Sequence, residues 1–208
     1  MFADRREAGR TLASLLLTER EPLVLGIARG GVIVAHSVAL ALGADLDVVV
    51  IRKVGHPRQR ELALGAVSAA GESVIAPYAS EYYRGPVEPL FEQQVQRARD
   101  LELRVRGDSP PISIEGRNVI IVDDGIATSA TMECAVAHAR HANAARVVCA
   151  APVAPSESID LIRRRCDEVA VIIVAHERDF AVGRYYRDFR EVDDRQVIEA
   201  LQSSVGRG

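Results

Sequence analysis

Two adjacent carboxylates, Asp123 and Asp124, follow the apolar run 119–122 directly, and only small, hydroxyl or medium-sized apolar residues follow them as far as Thr131. Backbone amides at the start of a helix attract a phosphate, and small side chains let it approach the backbone closely. Serine and threonine hydroxyls can add further donors. Carboxylates repel a phosphate but accept hydrogen bonds from the vicinal hydroxyls of a sugar. The stretch therefore indicates a ribose 5-phosphate site; alternatively, the aspartates only cap the next helix.

Lysine occurs once in the chain, at Lys53, although lysine and arginine together number 26. An ammonium group is a compact cation on a flexible stem, which differs in use from the planar arginine fork. The lone lysine is therefore a candidate site residue. The alternative is that the source genome simply favours arginine.

Composition excludes several classes of protein. A net charge of -3 gives no reason to expect a nucleic-acid partner. The three cysteines show no CxxC spacing, which argues against a disulfide framework or a zinc site and fits a reducing cytoplasm. The charged start does not resemble a signal peptide, and no apolar run approaches the ~20 residues that span a bilayer. We therefore expect a cytoplasmic protein without a membrane partner.

Short apolar runs alternate with longer amphipathic runs along the chain. Continuously apolar strands are buried on both faces, and with intervening helices they predict a parallel α/β sheet in one domain, 1–208. Segment 54–74 predicts a mobile loop followed by a hairpin, and 176–192 is an aromatic-rich segment near the C-terminus. We predict strands at 22–28, 46–53, 118–124, 145–153 and 168–175, and helices at 31–42, 87–105, 129–142, 156–166 and 193–204.

The run VIIVDDGIATSATM (119–132) resembles the signature of the type I phosphoribosyltransferases, which bind 5-phosphoribosyl 1-diphosphate (PRPP). The resemblance implies that Asp123 and Asp124 hold the ribose hydroxyls. One departure is Ser129, which stands where the family usually has glycine. The resemblance also implies a 5-phosphate loop made of Gly125, Ala127, Thr128, Ser129, Ala130 and Thr131.

Two more stretches extend the resemblance. LGIARGGVIVA (25–35) resembles the family's pyrophosphate loop, in which a non-proline cis peptide often lies, and Ala28–Arg29 is the corresponding bond. VVVIRKVG (48–55) resembles the family strand whose basic end reaches the pyrophosphate. The implied pyrophosphate-binding residues are Ala28, Arg29, Gly30, Gly31, Arg52 and Lys53. The segment 54–68 resembles the flexible lid, which would contain Arg58, Arg60 and Glu61.

The C-terminal segment FAVGRYYRDF (180–189) resembles the hood of the purine branch of the family, in which an aromatic ring stacks on the base. Phe180 is the first candidate for that ring, followed by Tyr185 and Tyr186. Asp188 could accept a hydrogen bond from an exocyclic amine. The alternative is that these aromatic residues only pack the core.

The resemblance implies an open, mostly parallel sheet flanked by helices, with a small hood and a flexible lid loop. It implies a Mg²⁺-dependent phosphoribosyltransferase that takes PRPP and a nucleobase or related amine, and that often dimerises. The catalytic residues would be Asp123, Asp124, Lys53 and Arg29, with Mg²⁺ held mainly by substrate oxygens and possibly by the two aspartates. Ala127 stands where some purine-salvage members carry an acidic base. Two alternatives stay open: a non-catalytic PRPP or nucleotide sensor on this fold, and an unrelated nucleotide-binding α/β protein.

Overall fold

The computed structural model describes residues 1–177 and 179–203, apart from the side chains of Arg60 and Glu61. Strands and helices alternate along most of the chain. The strands are β1 (Leu23–Ile27), β2 (Asp45–Val49), β3 (Ile51–His56), β4 (Gln59–Ser68), β5 (Ser73–Ile75), β6 (Asn118–Val122), β7 (Arg146–Pro155) and β8 (Glu168–Ala175). The α-helices are α1 (Arg5–Ala13), α2 (Gly30–Leu42), α3 (Ala79–Tyr82), α4 (Glu88–Arg106), α5 (Ser129–His141), α6 (Ser156–Ile162) and α7 (Asp194–Gln202).

Five strands form a parallel sheet in the order β2-β1-β6-β7-β8. Every residue of β1 is buried, because helices cover both faces of the sheet. Leu23 and Leu25 contribute to the core on the side of α5 and α6, whereas Val24 contributes to the core on the side of α1 and α2. The predicted α/β fold with a parallel sheet flanked by helices is therefore confirmed.

The predicted strand 46–53 is two strands in two different sheets. β2 ends at Val49, and β3 begins at Ile51 as the edge of a three-stranded antiparallel sheet in the order β3-β4-β5. The second half of the predicted strand is not continuously apolar, and Arg52 and Lys53 reach partly exposed positions on it. An antiparallel strand with one wetter face tolerates such residues, whereas the central parallel sheet does not.

The segment that we predicted as a flexible lid loop forms a hairpin. β3 and β4 pair from Ile51↔Ser68 to His56↔Gln59, and the chain turns at Pro57 and Arg58. The Nδ1 atom of His56 accepts hydrogen bonds from the amides of Arg58 (3.1 Å) and Gln59 (3.2 Å), which closes the turn. The hairpin predicted after the loop is present as β4 and β5. The side chains of Arg60 and Glu61 lie outside the described residues.

Two helices, α2 and α7, show how the helices are buried and how they begin. α2 is almost wholly buried between the sheet and its neighbours α1 and α7, and burying a Val or Leu side chain stabilises the fold by ~1.5–3 kcal/mol. α7 begins at Asp194, one residue after the predicted start, and Asp193 caps it: the Asp193 side chain accepts from the Gln196 amide, and the Gln196 side chain accepts from the Asp193 amide. Of the helices described, none is long and apolar enough to cross a membrane.

Candidate functional site

The carboxyl ends of β1 and β6 meet at one edge of the parallel sheet, where ligands of open α/β sheets bind. A cavity of about 210 Å³ opens there. It brings together Asp123, Asp124, Lys53 and Arg29, the four residues that the resemblance implies to be catalytic. Its lining is made of residues 27–30, 51, 53, 123–128, 131 and 132.

The start of α5 forms one wall of this cavity and is suited to an anion. Thr128 is extended and precedes the helix without capping it through its side chain, so first-turn amides stay available. The hydroxyl of Thr131 is buried and has no hydrogen-bond partner in the part of the chain that the structure describes. A buried unpaired hydroxyl costs about 1–3 kcal/mol. A phosphate at this helix end would satisfy both the amides and the hydroxyl.

Ser129 is compatible with this loop. It is the first residue of α5, and the positive φ angles among the described non-glycine residues belong to Glu21 and Asn143. A serine there carries no strain of the kind that glycine would relieve. The glycine that the family usually has is therefore not required by this backbone.

The two aspartates differ in their electrostatic environment. Burial, together with the neighbouring Asp124 carboxylate, raises the pKa of Asp123 to about 8. Burial also raises the pKa of Asp124, but the guanidinium of Arg5 opposes that shift. The amide of Asp124 donates to Asp123 Oδ1 at 2.8 Å. The pair therefore favours one shared proton near neutral pH, with the charge on Asp124.

Arg5 belongs to the site, and our sequence analysis missed it. Its Nε donates to Asp124 Oδ2 at 2.7 Å, and its Nη1 donates to the carbonyl oxygen of Arg190 at 2.8 Å. Its guanidinium carbon lies 3.9 Å from the ring centroid of Phe189. A sequence signal did exist, because Asp4 with Glu7 three residues later is a capping pattern that predicts helix α1.

The loop between β1 and α2 packs tightly against the aspartates. The Ala28–Arg29 peptide bond is cis, as predicted. A Cβ added to Gly30 would lie 2.0 Å from Asp124 Oδ2, and one added to Gly31 would lie 2.7 Å from the carbonyl oxygen of Val122. Glycine is required at both positions because this loop and the end of β6 leave no room for a side chain.

The basic residues predicted for pyrophosphate lie in two neighbouring cavities. Lys53 faces the cavity of Asp123, and its charge opposes the rise in the pKa of that aspartate. Arg52 is on the other side of β3 and lines a second cavity of about 380 Å³. Arg29 lines both cavities, and its Nε lies 2.6 Å from Asp194 Oδ1. The structure therefore brings Lys53, but not Arg52, to the aspartate pair.

The hood residues are placed differently from one another. Tyr186 is buried next to Phe2, and its hydroxyl donates to the carbonyl oxygen of Asp124 at 2.6 Å. The rings of Phe180 and Tyr185 contact each other with centroids 5.6 Å apart. Asp188 pairs with Arg190 and lines a third cavity that does not include Asp123 or Asp124. The structure thus places Tyr186 against the site as a support and leaves Phe180 as the first candidate for stacking.

The hood packs against the site, whereas the tip of the lid segment does not line it. Arg58 is exposed at the tip of the β3–β4 turn and does not line the cavity of the aspartates. Val182 of the hood packs directly on the phosphate loop, because a Cβ on Gly125 would lie 2.3 Å from Val182 Cγ1. Hood and phosphate loop therefore form one packed unit.

Few side chains at the cavity could act as ligands of a metal ion. Among the side chains that the structure describes, which exclude those of Arg60 and Glu61, no group of three or more His, Cys, Asp or Glu residues could hold a metal ion. The oxygen donors at the cavity are Asp123 and Asp124, and Mg²⁺ is a hard cation that commonly combines one or two carboxylates with substrate oxygens. The donor set fits a magnesium ion shared with a phosphorylated substrate.

Comparison with known proteins places the chain in a family. A family model described as the phosphoribosyl transferase domain matches residues 5–189. Two Mycobacterium tuberculosis proteins, of strains CDC 1551 and H37Rv, are named provisionally as phosphoribosyl transferases, and each is 40% identical over 97% of this chain. The match covers 46% of each of them, so the chain spans about half the length of these curated relatives.

Solved structures of other proteins also resemble this chain. TT1426 from Thermus thermophilus is 44% identical to this chain, with a TM-score of 0.78 and 98% of each chain covered. APRTase from Giardia lamblia, solved with 9-deazaadenine, is 13% identical with a TM-score of 0.50, over 83% of this chain and 80% of its own. The second likeness concerns the fold alone.

Proposed function

Because this chain belongs to the phosphoribosyl transferase domain family, we propose that it transfers the 5-phosphoribosyl group of PRPP to a nucleobase or related amine and releases pyrophosphate. One observation carries the proposal. A single cavity combines an acidic pair, an anion-binding helix start and a lysine, and these are the groups that a ribose bearing phosphate and diphosphate requires.

In the proposed complex the 5-phosphate lies at the start of α5. The amides of residues 129–131 and the hydroxyl of Thr131 would donate to its oxygens, which gives the buried hydroxyl its missing partner. Asp123 and Asp124 would accept hydrogen bonds from the ribose hydroxyls. The ribose is then fixed at both ends, which aligns its anomeric carbon for attack.

The reaction breaks the bond between the anomeric carbon and the diphosphate oxygen and forms one to the acceptor nitrogen. Both electrons of the broken bond leave with pyrophosphate, and the sugar passes through an oxocarbenium-like state. The proton that the acceptor nitrogen loses as its bond to carbon forms passes to the departing pyrophosphate. Arg29 and Lys53 would stabilise the charge that builds up on the leaving group. When bound by substrate oxygens together with Asp123 or Asp124, Mg²⁺ would neutralise part of the same charge.

We place the acceptor under the hood, where Phe180 and Tyr185 offer aromatic faces and Val182, which lies between them in sequence, packs on Gly125. Val182 contacts Gly125, so an acceptor held by the neighbouring Phe180 would lie close to the bound sugar. Aromatic side chains stack on planar rings at low cost in conformational entropy. The acceptor class that follows is a planar nitrogen heterocycle.

The test is calorimetric titration with PRPP, with and without Mg²⁺, followed by a screen of nucleobases for pyrophosphate release. We expect micromolar binding that needs Mg²⁺, and release with at least one acceptor. Asp123→Asn with Asp124→Asn should abolish release while the circular dichroism spectrum persists. Wild-type release in that double variant would refute the site assignment. Binding of PRPP without release from any acceptor would favour a sensor on the same fold.

A further inference from the structure

The turn between β4 and β5 contains a buried serine and a glutamate that the proposed reaction does not use. Ser68, the last residue of β4, is only 1% exposed, and its hydroxyl oxygen accepts hydrogen bonds from the amides of Gly71 and Glu72, each at 3.1 Å. The same hydroxyl donates to Glu72 Oε2, so the full hydrogen-bonding capacity of the serine side chain is used inside the turn. The turn therefore fixes the Glu72 side chain, which is 15% exposed.

Two residues of α5 hold Glu72 from the other side. Its Oε2 lies 3.2 Å from His138 Nδ1, and the Cys134 thiol donates to its carbonyl oxygen at 3.3 Å. Burial, together with the charge of Glu72, raises the pKa of Cys134 to about 12, so the thiol keeps the proton that it donates. Burial opposes the ionisation of Glu72, but the hydrogen bond from Ser68 and the contacts with His138 hold its pKa below the ordinary value. Glu72 therefore joins the turn to the helix as a carboxylate.

The helix side of this contact leads to the start of α5, where we place the phosphate. Thr131, Cys134 and His138 are three and four residues apart, so they share one stripe of the helix. Thr131 lines the cavity of the aspartates and carries the buried hydroxyl that has no partner in the described part of the chain. Glu72 therefore contacts the same stripe of α5 that contains this hydroxyl.

The sheet side of the contact leads to the lysine. In the pairing of β3 with β4, Ser68 lies opposite Ile51, and Ala66 lies opposite Lys53. Ile51 and Lys53 both line the cavity of the aspartates. The serine that fixes Glu72 is therefore the cross-strand neighbour of one cavity residue, and the neighbour of the other lies two positions before it in β4.

We propose that Glu72 is a positioning residue that sets the separation between Lys53 and the start of α5. The lysine lies on the antiparallel sheet, whereas α5 follows a strand of the parallel sheet, so these two walls of the cavity belong to different layers. Ala66 of β4 and Cys134 of α5 belong to one apolar cluster, but apolar contact has no preferred direction. Hydrogen bonds are directional, and those of Glu72 fix the two layers relative to each other. The importance of this separation for catalysis rests on the proposed function.

The lone lysine makes the proposal testable without any ligand. Protein grown on isotope-labelled lysine gives a single backbone amide signal in its NMR spectrum, and that signal comes from Lys53. Glu72→Ala should displace the signal, because the strand that carries Lys53 loses its hydrogen-bonded link through β4 to α5. The same variant should weaken PRPP binding by about 3- to 30-fold in calorimetry, a range typical of residues that act through packed neighbours.

Asp167→Ala is the matched control, because Asp167 binds the last turn of α5 to the parallel sheet instead. Its Oδ2 lies 2.7 Å from Arg140 Nη2 and accepts a hydrogen bond from the Val147 amide, also at 2.7 Å. The control thus removes a comparable pair of bonds from the same helix. It should leave the Lys53 signal in place and PRPP affinity within about twofold of the wild type, since independent sites do not couple.

Two further variants show whether the effect passes through the hydrogen bonds of Glu72. Glu72→Gln keeps an oxygen that can accept from Ser68 or His138, so it should restore part of the signal position and part of the PRPP affinity. His138→Ala removes the bond from the helix side at a partly exposed position and should also displace the signal. It serves in place of Glu72→Ala if that variant does not fold.

An unmoved signal in Glu72→Ala, an equal displacement in Asp167→Ala, or a displaced signal with unchanged PRPP affinity would each overturn the positioning role. The release assay separates this result from the proposed function. Release of pyrophosphate by the wild type together with an unmoved signal refutes the positioning role alone. A displaced signal in Glu72→Ala, without release by the wild type from any acceptor, refutes the transferase alone and leaves the link between the two layers standing.

Discussion

Arg5 Nε donates to Asp124 Oδ2 at 2.7 Å, so a residue of the first helix holds one of the two carboxylates at the carboxyl end of β6. Both side chains are nearly buried, with 11% and 16% of their surfaces exposed. The same guanidinium contacts the ring of Phe189 and the carbonyl oxygen of Arg190. Arg5 therefore connects the N-terminal helix, the hood and the acidic pair.

Arg5→Gln should lower kcat/KM for PRPP by about 10- to 100-fold, because Asp124 loses the partner that fixes its orientation. The free energy of unfolding should fall by about 1–3 kcal/mol, since a nearly buried carboxylate is left with fewer partners. Steady-state pyrophosphate release and urea denaturation measure the two effects. Arg5→Lys should recover part of the activity, and Arg6→Gln, at an exposed position of the same helix, should change neither quantity.

The sequence indicated the site residues that directly follow a strand, but not those that reach the site from distant parts of the chain. Asp123, Asp124 and the loop 28–31 follow buried strands directly, so their strand ends placed them at one edge of the sheet. Arg5 and Asp194 reach the site only through tertiary packing, at separations of 119 and 165 residues from their partners. A spacing pattern along the chain cannot reveal such contacts.

The same limit explains the errors in secondary structure. The run 46–53 is continuously apolar from Val48 to Ile51, and nothing in it marks the change of sheet at Val50. The lid was predicted as a loop because segment 54–68 resembles the family's flexible lid, and a turn is present in it at Pro57 and Arg58. Pairing of β4 with β3, and with the three-residue strand β5, supplies the strand conformation.

Gly30→Ala should lower kcat/KM strongly, although the substitution adds only one methyl group. The added methyl would lie 2.0 Å from Asp124 Oδ2 and 3.0 Å from Arg5 Nε, so the ion pair must shift. We expect a loss of at least about 100-fold in kcat/KM, in line with the cost of misplacing a reacting group by about 1 Å. Combined with Arg5→Gln, the effects should be strongly non-additive, because both changes act on Asp124. Additive effects in the double variant would show that the methyl acts elsewhere.

Tyr186→Phe tests the support beneath the acidic pair. The Tyr186 hydroxyl donates to the carbonyl oxygen of Asp124 at 2.6 Å from a buried position, so its removal should cost about 1–2 kcal/mol of unfolding free energy. Tyr185→Phe is the matched control, since the Tyr185 hydroxyl donates to the exposed Glu177. It should leave stability within about 0.5 kcal/mol of the wild type. Equal losses in the two variants, measured by urea denaturation, would contradict the supporting role of Tyr186.

Asp123→Asn should make the free energy of unfolding less sensitive to rising pH. Burial and the charge of Asp124 raise the pKa of Asp123 to about 8 in the folded state, whereas an unfolded aspartate has a pKa of about 3.9. Between these values the folded state holds a proton that the unfolded state has released. The stability that this proton contributes is fully present below about pH 4 and is lost as the pH rises through about 8.

Asparagine stays neutral throughout that window, so the variant should lose less unfolding free energy than the wild type between about pH 5 and about pH 8. The difference should be on the order of 1–3 kcal/mol, and urea denaturation at unit pH steps measures it. Asp108→Asn, at an exposed position, serves as the control and should follow the wild-type curve. Parallel curves for Asp123→Asn and the wild type would mean that Asp123 is already ionised in the folded protein. A stabilised Asp123→Asn variant that no longer uses PRPP would instead show that the acidic pair is kept for binding at the expense of stability.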